Sequence, residues 1–133
     1  MLTAPSRYSE TLVYPVDEIS TTGYTKVSEY RDGAVNTFYV HPADVGLPKA
    51  APEALRGADA AENARIARDV LKGTPGAPRD IVLLNAGASL LIAGAVPDLA
   101  NGISRAAAAL DSGAVAATLE QLTAISNAAP EAA

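Results

Sequence analysis

The sequence predicts an α/β fold in which N-terminal strands, including a β-hairpin, are followed by about four α-helices. All six aromatic residues lie before residue 40, whereas alanine is concentrated after residue 50. Aromatic residues favour strands and alanine favours helices, so the first third of the chain is expected to be β-rich and the remainder helical. The pair Asp32-Gly33 tolerates positive φ and is typical of a tight turn between two strands.

Composition restricts the classes of function. A chain of 133 residues with 49% hydrophobic residues fits one domain with a buried core. The net charge of −5, without a cluster of lysine and arginine, argues against a nucleic-acid partner. A chain with no cysteine and one histidine has no disulfide, no thiolate zinc site and no two-histidine metal site.

The apolar segments are too short to indicate a membrane protein. The longest run of large apolar residues is Ile81–Leu84, whereas a membrane-spanning helix needs roughly 20 predominantly apolar residues. The first ten residues are polar and do not resemble a signal peptide. We therefore expect a soluble, cytoplasmic protein with no membrane partner.

Three β-prone runs are predicted as strands: residues 11–16, 25–31 and 35–40. His41-Pro42 ends the third run, because proline disfavours continuation of a strand. The following stretch, residues 43–58, contains two prolines and two glycines. It is predicted as an extended connection with at most one helical turn.

The first two helices differ in their predicted burial. Asp59, with Glu62 three residues later, resembles a capping box that opens an amphipathic, half-exposed helix ending at Lys72-Gly73. After a loop over residues 74–78, Asp80 introduces a helix that is apolar almost all round. A helix of that kind is expected in the core.

Two further helices are each predicted with one apolar face. Pro97 and Asp98 open the third helix, and Ser112-Gly113 ends it. Its apolar face comprises Leu99, Ile103, Ala106 and Leu110, and the face of the fourth helix comprises Val115, Leu119, Leu122 and Ile125.

Asp17 and Glu18 form the only adjacent pair of carboxylates in the chain. On a regular strand the two side chains would point to opposite faces, so a shared ion requires them to lie in a loop. Magnesium prefers such oxygen ligands, with waters and substrate phosphates completing its shell. The residues alone leave two readings open, a metal site and a solvated acidic turn.

Other polar residues favour structural roles. His41 has no nucleophile arranged beside it, and residues 72–76 lack the spacing of a phosphate-binding loop. Asn85 and Ser89 lie four apart in the apolar helix, where buried polar groups must be hydrogen-bonded. We expect these two side chains to make interhelical or loop-capping bonds rather than ligand contacts.

Eight short stretches form a series along the chain. They are Asp-Glu-Ile-Ser at 17–20, Gly-Tyr-Thr-Lys-Val at 23–27, His-Pro-Ala-Asp-Val-Gly-Leu at 41–47, Gly-Ala-Asp at 57–59, Glu-Asn-Ala at 62–64, Arg-Asp at 79–80, Leu-Asn-Ala at 84–86 and Leu-Asp-Ser-Gly at 110–113. In their order and spacing, these stretches closely resemble the C-terminal part of the anthranilate phosphoribosyltransferase family. The resemblance covers about residues 17–125.

The resemblance implies a fold and a chemistry. Members join anthranilate to phosphoribosyl pyrophosphate with loss of pyrophosphate, require magnesium, and are usually homodimers. Their larger domain is of the nucleoside phosphorylase/phosphoribosyltransferase α/β type, of which this chain would be a partial copy. The family's magnesium-binding Asp-Glu pair matches Asp17 and Glu18 here.

The resemblance also implies that this chain is incomplete. The family's glycine-rich phosphate loop, its Lys-His-Gly-Asn stretch and its anthranilate-binding arginine lie upstream, and residues 1–16 do not reproduce them. We therefore expect a divergent or foreign segment over 1–16, the α/β portion over 17–127 and a disordered tail over 128–133. The isolated chain is expected to be inactive and to self-associate, pairing with a complementary chain or a second copy. The alternative is a non-catalytic fragment or association module.

Overall fold

A computed structural model of the chain describes residues 18–128. These residues form a two-stranded antiparallel sheet followed by four α-helices, which confirms the predicted order of strands before helices. The predicted strand over 11–16 and the divergent segment over 1–16 lie outside the described residues, as does nearly all of the predicted tail over 128–133.

The hairpin pairs strand β1, Thr25–Arg31, with strand β2, Ala34–Val40. The two strands pair from Thr25 opposite Val40 to Arg31 opposite Ala34, so the connecting turn has two residues. Asp32 has φ 52° and Gly33 has φ 81°, which are the positive values that a type I′ turn requires at both positions. The predicted hairpin is confirmed, and β2 begins one residue earlier than expected.

The connection to the helices contains two short 3₁₀ turns, Pro42–Val45 and Pro52–Leu55, one more than predicted. Proline occupies the first position of each turn, where its missing N–H costs no hydrogen bond. His41 caps the first turn: its Nδ1 accepts from the Ala43 N–H at 3.2 Å, and the carboxylate of Asp44 accepts from the His41 N–H at 3.0 Å.

The four helices are α1, Ala60–Leu71; α2, Ala77–Ile92; α3, Leu99–Asp111; and α4, Ala114–Asn127. Asp59 caps α1 by accepting from the Glu62 N–H at 2.9 Å, as its position in the sequence predicts. Helix α2 begins three residues before Asp80, within the segment predicted as loop. Pro78 suits this first turn because proline is tolerated there and already has a helical φ.

The core lies between α2 and α3, where Leu83 and Leu84 of the first helix pack against Ile103 and Ala106 of the second. The predicted buried face of α3 is confirmed at Ile103, Ala106 and Leu110, and Leu99 packs against the core partly buried.

The expectation that the whole of α2 lies in the core is wrong for the described part of the chain. Its buried residues are Leu83, Leu84 and Gly87. Val82 remains 43% exposed and Ile92 87% exposed. The reason is that residues 18–128 cover α2 closely only on the side that meets α3, so several of its other apolar side chains stay partly or largely exposed.

Two glycines allow α2 and α3 to approach until their backbones touch. A Cβ atom built on Gly87 would lie 2.7 Å from the backbone nitrogen of Ile103, and one built on Gly102 would overlap the carbonyl oxygen of Gly87. Real Cβ atoms do not approach backbone atoms so closely. Any larger side chain at either position therefore forces the two helices apart.

Within residues 18–128, no helix combines the length and the apolar character needed to cross a membrane.

We predict that Gly102→Ala lowers the free energy of unfolding by about 1–2 kcal/mol, because overpacking a close helix contact costs up to about 3 kcal/mol. The loss is expected although alanine favours a helix over glycine by about 1 kcal/mol. Denaturant unfolding measures the difference. Gly23→Ala is the control, since a Cβ there meets no atom within 4 Å. Equal stabilities of Gly102→Ala and the wild type would contradict the close contact.

We also predict a pH-dependent difference between the wild type and Asp98→Asn. The Asp98 carboxylate caps α3 by accepting from the Asn101 N–H at 2.8 Å, and this bond lowers the pKa of Asp98. A lowered native pKa stabilises the fold above the unfolded pKa, and the gain is lost as the pH falls through the native pKa. Asparagine still caps but does not titrate. Thermal unfolding should show an advantage of the wild type at neutral pH that shrinks in acid; a constant difference would contradict the prediction.

Candidate functional site

The Glu18 loop, residues 18–24, leads directly into β1 and is held by hydrogen bonds along its length. The Ser20 N–H donates to the Thr25 hydroxyl oxygen at 3.0 Å, and the Thr22 N–H donates to the Ser20 hydroxyl oxygen at 3.1 Å. The hydroxyls of Ser20 and Thr22 lie 2.8 Å apart and share a further bond. The loop therefore has a defined backbone conformation although it is neither helix nor strand.

Within this loop, Thr21 is fully buried. Its carbonyl oxygen accepts from the Ala50 N–H at 2.9 Å, which joins the loop to the extended connection. Its hydroxyl has no hydrogen-bond partner among residues 18–128. The loop is thus supported both by a buried side chain and by a bond to a separate segment.

Asn85 of α2 bonds the backbone of the loop at its second residue, Ile19. Its Oδ1 accepts from the Ile19 N–H at 3.1 Å, and its Nδ2 donates to the Ile19 carbonyl oxygen at 2.8 Å. The prediction that Asn85 caps a loop is confirmed. Ser89 differs from the expectation, because its hydroxyl donates to the Asn85 carbonyl oxygen at 3.0 Å, within the same helix.

Glu18 is exposed immediately before the residue that Asn85 holds. Asp17 lies outside the described residues, so the geometry of the predicted pair is not described. No cluster of three or more potential metal ligands occurs in the described part of the chain. Magnesium is commonly held by one or two carboxylates plus waters and phosphates, so an exposed carboxylate on a fixed loop fits this ion without a complete protein cage.

His41 serves the fold, as its sequence context predicts. Its Nδ1 is engaged in capping the first 3₁₀ turn. Its ring packs against Tyr24, with the ring centroids 4.6 Å apart and the planes inclined by 49°. These contacts join the end of the Glu18 loop to the end of β2.

Residues 72–76 connect α1 to α2, as predicted. The sequence did not predict an ion pair that joins α2 to α3 near this connection. A guanidinium nitrogen of Arg79 lies 2.8 Å from a carboxylate oxygen of Asp111, and the Arg79 side chain is only 13% exposed. Beside it, burial raises the pKa of Asp80, and the charge of Arg79 opposes that rise. The partners are far apart in sequence, so helical spacing alone gives no signal for the pair.

An apolar groove of about 570 Å³ is bordered by α1, α2, α4 and the second 3₁₀ turn. Its lining is mainly aliphatic and includes Leu55, Ile66, Val70, Val82, Val115 and Leu119. The apolar face predicted for α4 continues beyond the groove, where Leu122 is 61% exposed and Ile125 is 74% exposed. Contiguous exposed apolar surface of this kind is typical of interaction sites.

Comparison with known proteins gives a consistent result. The sequence model of the glycosyl transferase family, a/b domain, matches residues 5–116. Anthranilate phosphoribosyltransferase from Azorhizobium caulinodans is 53% identical over 107 residues, which are 80% of this chain and 31% of the relative. The enzyme of the same name from an Anaeromyxobacter species is 52% identical over 109 residues, or 82% of this chain and 32% of the relative.

A solved structure agrees with the sequence matches. The crystal structure of anthranilate phosphoribosyltransferase from Thermus thermophilus superposes with a TM-score of 0.76 and 38% identity, covering 85% of this chain and 33% of that chain. The prediction of a partial α/β domain is confirmed. The chain spans about a third of the length of the relatives that it matches.

Proposed function

Because this chain belongs to the glycosyl transferase family through its a/b domain, we propose that it carries the magnesium-binding acidic pair of a phosphoribosyl transfer site. The substrates would be phosphoribosyl pyrophosphate and anthranilate, as the names of the relatives suggest. The observation that carries the proposal is the exposed Glu18 carboxylate at the start of a loop with a defined backbone. Asp17 and Glu18 are the proposed ligands.

In the proposed reaction, the amine nitrogen of anthranilate forms a bond to C1 of the ribose. The bond between C1 and the pyrophosphate oxygen breaks, pyrophosphate leaves with the bonding electrons, and the amine loses a proton. A bound magnesium ion would offset the negative charge that develops on the departing pyrophosphate. The Glu18 loop contributes by holding the backbone from which the carboxylate extends, so that less ordering is needed when the charged ligand binds.

The other substrate contacts are proposed to come from the remaining two thirds of the family fold, since the chain spans about a third of its relatives. We predict no turnover by the isolated chain and turnover when it is mixed with the upstream two thirds of the Azorhizobium caulinodans relative. Loss of anthranilate fluorescence in the presence of phosphoribosyl pyrophosphate and magnesium measures the reaction.

The matched control is the double variant Asp17→Asn, Glu18→Gln, which preserves side-chain size and removes both charges. It should reduce turnover of the mixture by at least about 100-fold, the cost of losing a group that stabilises developing charge. Wild-type turnover by the double variant would contradict the metal role. Turnover by the isolated chain would contradict the requirement for a second portion.

A non-catalytic association module is the second candidate, and the apolar groove with its continuation on α4 favours it. The proposed occupant is the upstream portion of the family fold, because the matched relatives carry that additional chain. A surface of this kind left uncovered also promotes self-association.

We predict that Leu122→Glu weakens binding to the upstream portion by at least about tenfold, because it places a charge on the apolar face of α4. Gln121→Glu adds the same side chain at the neighbouring exposed position and should have little effect. Sedimentation velocity measures complex formation and also the self-association of the chain alone. A clean monomer that binds no upstream portion would exclude the association role.

A further inference from the structure

We propose that Asn85 is a positioning residue for the metal-binding loop: its side-chain amide fixes the backbone from which Glu18 presents its carboxylate. The inference rests on the proposed function of Asp17 and Glu18, and it assigns a role to a residue on a distant helix. Residues 19 and 85 are separated by 66 positions in the chain.

The geometry of the contact supports this role. Asn85 bonds both backbone groups of Ile19, accepting from its N–H at 3.1 Å and donating to its carbonyl oxygen at 2.8 Å. The Ile19 N–H belongs to the peptide plane that begins at Glu18. Holding this plane fixes the position of the Glu18 Cα atom, so the remaining local freedom of Glu18 is rotation about its ψ angle and its side-chain torsions.

Asn85 is itself held in place. Its Nδ2 donates a second bond to the Ile81 carbonyl oxygen at 3.0 Å, so both amide hydrogens are used. Its chain neighbour Leu84 is fully buried in the contact with α3. The loop is thus attached to the helix that forms part of the described core.

An asparagine at this position of α2 is unfavourable for the helix by itself, and the contact with the loop accounts for its presence. Asparagine favours a helix less than leucine or alanine does, and a partly buried amide must find partners. Asn85 finds them mainly in the loop that carries Glu18. Asn63 provides a comparison, because its amide makes the same two bonds to Ala58, at 2.9 and 3.2 Å, on a loop that carries no part of the proposed metal site.

The test uses the full 133-residue chain, labelled with ¹⁵N, and Mn²⁺ as a paramagnetic probe that also reports weak binding. We expect Mn²⁺ to broaden the amide signals of the Glu18 loop in the wild type and in Asn63→Ala. In Asn85→Ala the same broadening should require at least about tenfold more Mn²⁺, the usual cost of removing a group that orients a metal ligand. Amide hydrogen exchange of Ile19 should be faster in Asn85→Ala only.

The outcomes separate the two proposals. Equal Mn²⁺ dependence of Asn85→Ala and Asn63→Ala would overturn the positioning role and leave the metal site intact. Absence of loop broadening in the wild type, or broadening that persists in Asp17→Asn, Glu18→Gln, would overturn the metal site and the positioning role with it. If Asn85→Ala does not fold, Asn85→Leu, which preserves volume in the apolar helix, is compared with Asn63→Leu under the same criterion.

Discussion

The backbone contact between α2 and α3 at Gly87 and Gly102 is the constraint on which the described structure depends. It brings the two helices close enough for Leu84 to become fully buried. It also sets the position of Asn85, two residues before Gly87, and through Asn85 the position of the Glu18 loop. A change in helix separation would therefore move the candidate site as well as open the core, because both are built on the same turn of α2.

The Glu18 loop, which leads into the hairpin, is attached to α2 in a different way from the contact between α2 and α3. Helices α2 and α3 meet through apolar side chains and touching backbones, whereas the Glu18 loop adds the hydrogen bonds of the Asn85 amide to the packing of Ile19 against the core. The loop also accepts a bond from the N–H of Ala50 in the extended connection. Hydrogen bonds are directional, so they fix the orientation of a loop more closely than apolar contact does. Such an attachment suits a segment whose proposed task is to present a charged group.

Local signals in the sequence predicted much of this structure, and non-local contacts were the main source of error. Asp32-Gly33 identified the hairpin because positive φ is a property of single residues, and the face of α3 followed from helical spacing. The apolar character of α2 indicated burial but not how much of it residues 18–128 would cover. Gly87 and Gly102 gave no signal, since a close approach depends on two residues meeting across helices. Asp17 and Glu18 became a candidate metal site chiefly through family resemblance, because two adjacent acids alone are more typical of a solvated turn.

Helix α4 has a thermodynamic consequence of its own. None of its fourteen described residues is buried, so α4 contributes little to the stability of the described fold. A helix in that condition opens locally at a small free-energy cost. A partner that covers the apolar face of α4 would order the helix as it binds. The binding free energy would then be smaller than the contacts alone provide, because ordering the helix costs conformational entropy. The heat capacity should fall on complex formation by more than the contact of two rigid surfaces of equal area would produce.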